Sequence, residues 1–468
     1  MSGKPDWRAR RLHFVGIGGA GMSGLALVCA ELGATVTGSD RADSSYMERL
    51  RGAGLDPVVG HDAANLPEGA EIVVSTAIGS DNPEVALARE RGVEPIHRGA
   101  LLAELCREKR LIAVAGTHGK TTTTAMIVWA LRAIGEEPAF FVGGEIPVPG
   151  GGAVNAGWGR GQWVVAEADE SDGSFLRLQP DIAVVTNVEM DHHTEWDSLG
   201  GLARAFGAFL ERAGGVVLPS ETELSKPQGS TVRMPAEILH GDFPGKPSIE
   251  RFGAAAPGPT ELRLAVPGAH NLLNARAALA ALSLAGFDVD QAAATLAGFP
   301  GVRRRLESKG ECNGALVYDD YAHHPTEVRA SLAALRELEP QRLIAVFQPH
   351  LYSRTKALAE EFGIALALAD ELAVLDVYPA REEPVGDLAG VSGLLVARAA
   401  ADRMEGRRVL WTPTLQQAQA ALQPRLAPGQ IVVTIGAGDV FQLAEALVGA
   451  WPAEAERIGY GSQPGGEA

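Results

Sequence analysis

The chain has 468 residues, 46% of them hydrophobic and 21% charged, with a formal net charge of −17. That length exceeds one ordinary core and suggests about three domains, while the lack of any apolar run near the ~18–20 residues of a helical span argues against a membrane protein. The acidic balance argues against nucleic acid or an anionic bilayer as partner, since no basic excess offsets their phosphates.

The charged first eleven residues precede no signal-type cleavage site, and Cys29, Cys106 and Cys312 lie far apart without CxxC spacing. Both features lead to the expectation of a cytoplasmic protein with buried, reduced thiols.

In chain order, the first elements are strands expected over 12–15, 35–37 and 71–75 and a helix over 21–32, the alternation of a parallel α/β sheet. Between the first strand and the helix lie Gly16, Gly18, Gly19 and Gly21, a G-x-G-x-x-G turn, and Asp40 ends the next strand. Such a loop admits a pyrophosphate while the acid holds a ribose hydroxyl; a nicotinamide cofactor, another nucleotide diphosphate, or a merely tight turn fits this motif.

A second unit begins near residue 111. The apolar run 111–114 leads into Gly116, Thr117, His118, Gly119, Lys120, Thr121 and Thr122, and an apolar-periodic helix follows. Strand, glycine loop and helix aim backbone N–H groups and a helix dipole at one point, where a phosphate sits. Lys120 adds a cation for the outer phosphates and the Thr121 hydroxyl a ligand for magnesium, so the loop reads as an ATP site; Val114 replaces the first glycine of the common pattern. Strands are expected over 163–166 and 182–185, followed respectively by the acidic run Glu167, Asp169, Glu170, Asp172 and by Glu189, Asp191, His192 and His193. Carboxylates at strand ends beside a phosphate loop suit magnesium, which prefers oxygen ligands; a solvated acidic loop is the alternative. The stretch 227–259 is expected to hold antiparallel strands and turns, and a helix to run over 271–284. Asn271 reads first as its N-cap, with Asn274 one turn on as a base or ribose contact.

The third unit, from about residue 301, returns to βα alternation, with strands over 316–318, 343–347, 372–375 and 431–435, and it is a candidate to share the first unit's topology. Arg303, Arg304 and Arg305 at its start read as a solvated charge run. Polar groups gather at its strand ends: Asp319, Asp320, His323 and His324; His350 and Arg354, whose planar fork suits a carboxylate or phosphate; and a turn over 436–439. The polar tail from about residue 452 is expected to fray.

In this order, over roughly residues 10–450, the motifs resemble the Mur ligase family of peptidoglycan synthesis, and the runs GIGGAGMSG and EADESDGSF resemble its alanine-adding branch. The resemblance implies three domains, at 1–110 (Rossmann-like, binding UDP), 111–300 (a central P-loop ATPase-like α/β domain) and 301–468 (Rossmann-like, closing over ATP and binding the amino acid). The implied reaction is ATP-dependent ligation of L-alanine to the lactyl carboxylate of UDP-N-acetylmuramate. It also assigns roles. Gly18, Gly19, Gly21, Ser23, Asp40 and Ser75 would hold UDP; Lys120 would contact the β- and γ-phosphates; Thr121 and Glu167 would ligate magnesium, or manganese in its place, with His192 at a second metal position. Asn271, Asn274, Arg305 and Asp320 would anchor the adenosine side of ATP, and His350 and Arg354 would orient the muramyl carboxylate and the amino acid. The chain departs from the family pattern at Leu351, where arginine is common, and over 193–196. The base that takes the amine's proton stays open among His192, His323 and His350. A monomer or weak homodimer is expected. The alternatives are a murein-tripeptide recycling ligase, an ATP-driven binding or transport subunit, and an oxidoreductase built on Gly16–Gly21.

Overall fold

The computed structural model describes residues 5–148, 152–190, 196, 198–221, 233–241, 248–253, 259, 261–380 and 382–449. The chain divides into two compact units, Met1–Arg303 and Arg304–Ala468.

The first unit contains two sheets. One is parallel throughout, built from β1 (Arg11–Val15), β2 (Thr35–Asp40), β3 (Val58–Val59), β4 (Glu71–Val74) and β5 (Ile96–His97) in the order β3-β2-β1-β4-β5. Helices α1 (Ala20–Glu31), α2 (Ser45–Gly52), α3 (Pro83–Glu90) and α4 (Arg98–Cys106) connect or flank these strands. The order reverses at β1, so the glycine turn between β1 and α1 lies at the topological switch point, where open α/β sheets bind ligands.

The second sheet comprises β6 (Arg110–Ala115), β7 (Ala139–Pro147), β8 (Ala153–Gly157), β9 (Trp163–Glu167), β10 (Ile182–Val185), β11 (Gly215–Pro219) and β12 (Ser248–Phe252), ordered β12-β11-β10-β6-β9-β7-β8. Its central strands read as continuous apolar runs, buried from Leu111 to Ala115 and along all of β10, because helices cover both faces of the parallel part of the sheet, to which β8 adds an antiparallel edge. Those helices include α5 (Lys120–Ala133), α6 (Leu199–Leu210) and, beyond the short α7 (Ala236–Leu239), α8 (Ala269–Leu284). Phe175 packs between Phe206 and Phe209, with ring centroids 5.2 and 5.3 Å apart.

Two expectations need correction. In the described part of 227–259, β12 pairs parallel with β11 instead of forming antiparallel strands, because the chain returns through a crossover carrying α7 rather than through a hairpin. In the second unit, β13 (Glu307–Cys312), β14 (Ala315–Asp320), β15 (Arg342–Phe347), β16 (Glu371–Val374), β17 (Arg408–Trp411) and β18 (Gln430–Ile435) are ordered β13-β14-β18-β15-β16-β17. This is again a parallel α/β sheet, with β13 as an antiparallel edge, but its last strand inserts beside β14, so the first sheet's order is not repeated. The tail expected to fray lies outside the described residues. The three cysteines are buried and free, and burial pushes the Cys29 and Cys106 thiols up to about 12. Among the described residues no helix is long and apolar enough to cross a membrane.

Under the first sheet lies a fully buried carboxylate, Glu84. Burial alone would raise its pKa, but His13 Nε2 at 3.0 Å, the Ser39 hydroxyl at 2.7 Å and Asn65 Nδ2 at 3.1 Å bring it down to about 2. A carboxylate depressed in the folded state adds stability that is complete above its ordinary pKa and fades as pH falls through about 4.5 towards 2. Glu84→Gln is therefore expected to destabilise this unit by about 2–3 kcal/mol at neutral pH, with the gap to the parent narrowing below about pH 4 in thermal melts.

Candidate active site

The site is built on the β6–α5 turn. Gly116 and Gly119 have φ of +131° and +82°, and a side chain at Gly116 would collide with Thr186. A methyl at Gly119 would come within 2.5 Å of Asn274 Oδ1, so the glycine lets α8 pack against the loop. Strand β10 fastens the turn from below. Thr117 N–H donates to the Asn187 carbonyl at 3.0 Å, His118 N–H to Asn187 Oδ1 at 2.9 Å, and the Thr186 hydroxyl to the His118 carbonyl at 2.6 Å. The first-turn amides of α5 have no partner within their own helix, which leaves them aimed out of its amino end.

Lys120 lies back over this turn. Its Nζ donates to the carbonyls of Gly116 at 2.6 Å and Thr117 at 3.3 Å and pairs with Glu170 Oε2 at 2.8 Å. Burial disfavours its charge, but Glu170, Asp169 and Glu167 outweigh it and hold the ammonium protonated. Glu170 is itself buried; burial, reinforced by Asp169, pushes its carboxyl up to about 7 despite Lys120. Trp196 Nε1 donates to the Glu170 carbonyl at 3.1 Å. Beside this pair, the Thr121 hydroxyl donates to Glu167 Oε1 at 3.0 Å, and Glu167 Oε2 accepts the Gly143 N–H at 2.7 Å. The structure thus brings Gly116, Thr117, His118, Gly119, Lys120, Thr121, Thr122, Glu167 and Asn274 into one cluster. His192 lies outside the described residues.

The reading of Asn271 as a helix cap is overturned. Gly268, at φ +104°, is the N-cap, so Asn271 falls inside the first turn and its amide donates back to the Pro267 carbonyl at 2.7 Å. Asn274 Nδ2 reaches Asn271 Oδ1 at 3.4 Å, which aligns the two amides along one face.

At the other turn of this unit, Asp40 grips the glycine loop itself: the Gly18 N–H donates to its Oδ2 at 2.8 Å. The Ser39 carbonyl accepts the Gly16 and Ile17 N–H groups at 2.8 and 3.0 Å, so the end of β2 shapes the loop. Ser23 is buried, its hydroxyl donating to the Ala20 carbonyl at 3.1 Å. Ser75 follows β4 at the same sheet edge, its carbonyl accepting from Ile78 N–H at 3.1 Å. Asn155 of β8 donates to the Ala20 carbonyl at 2.7 Å and ties the second sheet to α1.

In the second unit, Asp320 accepts from Leu306 N–H at 2.9 Å, Ala322 N–H at 2.7 Å and the Ser331 hydroxyl at 3.1 Å. These bonds fix a segment in which Arg304 and Leu306 both adopt positive φ and from which Arg305 projects towards Glu327, 3.9 Å away. Burial raises the Asp320 carboxyl to about 6, against the pull of Arg305. His350 stacks on Tyr378 at 5.8 Å and 11°, and His323 meets its edge at 6.2 Å. Leu351, at φ +67°, precedes the helix Tyr352–Leu366 that carries Arg354 in its first turn.

Sequence reasoning assigned no role to Asn187, which braces the loop, or to Arg98, which pairs with Asp169 and Asp172 at 2.9 and 2.8 Å. Asn187 carried a signal, its place at the end of a strand beside the glycine loop of 116–122; Arg98 carried none.

Three family models match in succession: the catalytic domain of the Mur ligase family over 11–110, the Mur ligase middle domain over 114–282 and the Mur ligase glutamate ligase domain over 304–438. The UDP-N-acetylmuramate–L-alanine ligase of Renibacterium salmoninarum is 42% identical, the match covering 96% of this chain and 98% of that protein. The crystal structure of UDP-N-acetylmuramate-alanine ligase from Thermotoga maritima superposes with a TM-score of 0.77 at 29% identity, covering 94% of this chain and 98% of that one. A murein peptide ligase from Psychrobacter arcticus shares the fold at TM-score 0.65 and 24% identity, covering 94% and 98%. These matches remove the nicotinamide-dependent reading of the first glycine turn. From its first sheet to its last, the chain belongs to the Mur ligase family.

Proposed function

We propose that this protein ligates L-alanine to the lactyl carboxylate of UDP-N-acetylmuramate, driven by ATP, in peptidoglycan precursor synthesis. One observation carries the reading: the Lys120, Thr121 and Glu167 cluster belongs to a chain 42% identical to an alanine-adding ligase over nearly its whole length. The cytoplasm, where ATP and the sugar nucleotide are found, is the expected compartment, with a monomer or weak homodimer as the working form. The division of the chain near residues 110 and 300 into UDP-binding, ATP-binding and amino-acid-binding parts is part of the same proposal.

In this reading the lactyl carboxylate attacks the γ-phosphorus of ATP, giving an acyl phosphate and ADP. A free carboxylate resists acyl transfer because oxide is a poor leaving group, whereas phosphate departs readily. The amine of L-alanine then attacks the acyl carbon, and the tetrahedral intermediate expels phosphate. Lys120 and the α5 amides neutralise and orient the β- and γ-phosphates, so catalysis is mainly positioning and charge compensation. Thr121 Oγ1 and Glu167 make an oxygen donor pair suited to a hard divalent cation, here magnesium, with manganese as a substitute. Bound there, the cation would offset charge on the transferred phosphoryl group. His192 is assigned to a second metal position, Asn271, Asn274, Arg305 and Asp320 to the adenosine side of ATP, and His350 and Arg354 to the acceptor carboxylate and the amino acid. Gly18, Gly19, Gly21, Ser23, Asp40 and Ser75 are assigned to UDP.

Phosphate release with ATP and magnesium is the test. Turnover is expected only when UDP-N-acetylmuramate and L-alanine are both present, with glycine and L-serine slower. Because a missing or added small group in a pocket changes rates by roughly 10–200-fold, the preference should be measurable. Faster turnover with the L-alanyl-γ-D-glutamyl tripeptide than with L-alanine would move the assignment to a recycling ligase.

A further inference from the structure

Arg98, the first residue of α4, lies between the β1–α1 turn and the acidic run that follows β9. Its Nη2 donates to Asp169 Oδ2 at 2.9 Å and to Asp172 Oδ2 at 2.8 Å. Both carboxylates are fixed in turn, Asp169 Oδ1 by Ser171 N–H at 3.0 Å and Asp172 Oδ1 by Ser174 N–H at 2.9 Å. The guanidinium is therefore clamped from one side. Its other side faces α1: a methyl on Gly21 would lie 3.2 Å from Nη1. Among the described residues, Nη1 and Nε take no hydrogen-bond partner, and the side chain keeps 23% of its exposure. The third glycine of the turn thus leaves room for a cation, where such glycines commonly allow a helix to pack on a strand.

We propose that Arg98 is a further specificity-determining residue of the sugar-nucleotide site, its Nη1 edge pairing with the diphosphate held at the β1–α1 turn. The inference rests on the proposed assignment of that turn to UDP. The clamp explains why arginine is needed. A guanidinium can give one nitrogen to two carboxylates and still present a second nitrogen to an anion, whereas an ammonium is a single point charge. The pair also links the two turns electrostatically. Burial alone would raise the Asp169 carboxyl, but Lys120 and Arg98 together draw it down to about 2, so the same acid faces both cations.

Calorimetric titration of the full chain with UDP-N-acetylmuramate, UDP and uridine separates the diphosphate contact from the rest of the site. Arg98→Ala is expected to weaken UDP and UDP-N-acetylmuramate roughly ten- to hundredfold, the scale of one charge-assisted contact, and to leave uridine within about twofold. Arg98→Lys keeps the charge near the acids and should recover only part of the loss. In kinetics, KM for the sugar nucleotide should rise by a similar factor while KM for ATP stays within about twofold. Unchanged UDP affinity in either variant, or equal weakening of UDP and uridine, would overturn the assignment while leaving the UDP site standing. Failure of the parent protein to bind UDP-N-acetylmuramate would remove both this inference and the reading beneath it.

Discussion

Lys120→Met is expected to lower kcat by on the order of 10³, because it removes the cation proposed to meet the triphosphate while keeping a side chain of similar length and volume. The ammonium sits between two loop carbonyls and Glu170, with Asp169 behind. Methionine takes away the charge that offsets both acids. Glu170, already pushed up to about 7 by burial and by Asp169, should then take a proton at neutral pH, so the fold survives while the site loses its cation. ATP affinity and kcat should fall together, with the melting temperature within a few degrees of the parent. Glu170→Gln in the same background should add little, because the two residues form one ion pair; a further large loss would mean that Glu170 acts apart from Lys120. Retention of turnover by Lys120→Met would remove the phosphate loop from the chemistry.

The parts of this site legible in the sequence are those whose chemistry is local. The β6–α5 turn announces itself because Gly116 and Gly119 need positive φ, and because Lys120 and Thr121 follow at fixed offsets. The apolar runs of β6, β10 and β15 identify themselves as parallel strands covered on both faces. Long-range pairing is what local patterns cannot carry. Arg98 reads as an ordinary surface arginine until the fold brings it to Asp169, 71 residues away. Asn271 resembles a cap only while the φ of Gly268 is unknown. The parallel pairing of β12 depends on the route of a crossover, and the insertion of β18 beside β14 depends on the order of a whole sheet. Asp40 shows the intermediate case: its place at a strand end was legible, but its bond to Gly18 N–H makes it a part of the loop as well as a candidate ribose contact.

Glu167 stands at the join between these local and long-range contributions, and its replacement should produce the second large effect. One carboxylate oxygen takes the Thr121 hydroxyl at 3.0 Å and the other takes the Gly143 N–H at 2.7 Å, so the side chain is held at both ends across α5 and β7. A methyl on Gly143 would come within 2.7 Å of Oε2, so β7 leaves the acid little freedom to turn away. Glu167→Gln keeps the shape but replaces one acceptor oxygen by a donor. The amide then either opposes the Gly143 N–H or turns its NH₂ to the Thr121 hydroxyl, and in both orientations the charge proposed to face a divalent cation is gone. The expected outcome is a drop of roughly 10²–10³ in kcat at ordinary magnesium, with the concentration for half-maximal activity raised at least tenfold. Glu167→Asp withdraws the carboxylate by one methylene, too short to bridge Thr121 and Gly143 together, and should restore the charge without restoring the rate. Titration of activity against magnesium separates the two variants: excess metal should rescue Glu167→Asp in part and Glu167→Gln hardly at all. Equal rescue of both would mean that the carboxylate positions Thr121 without contributing charge to the metal.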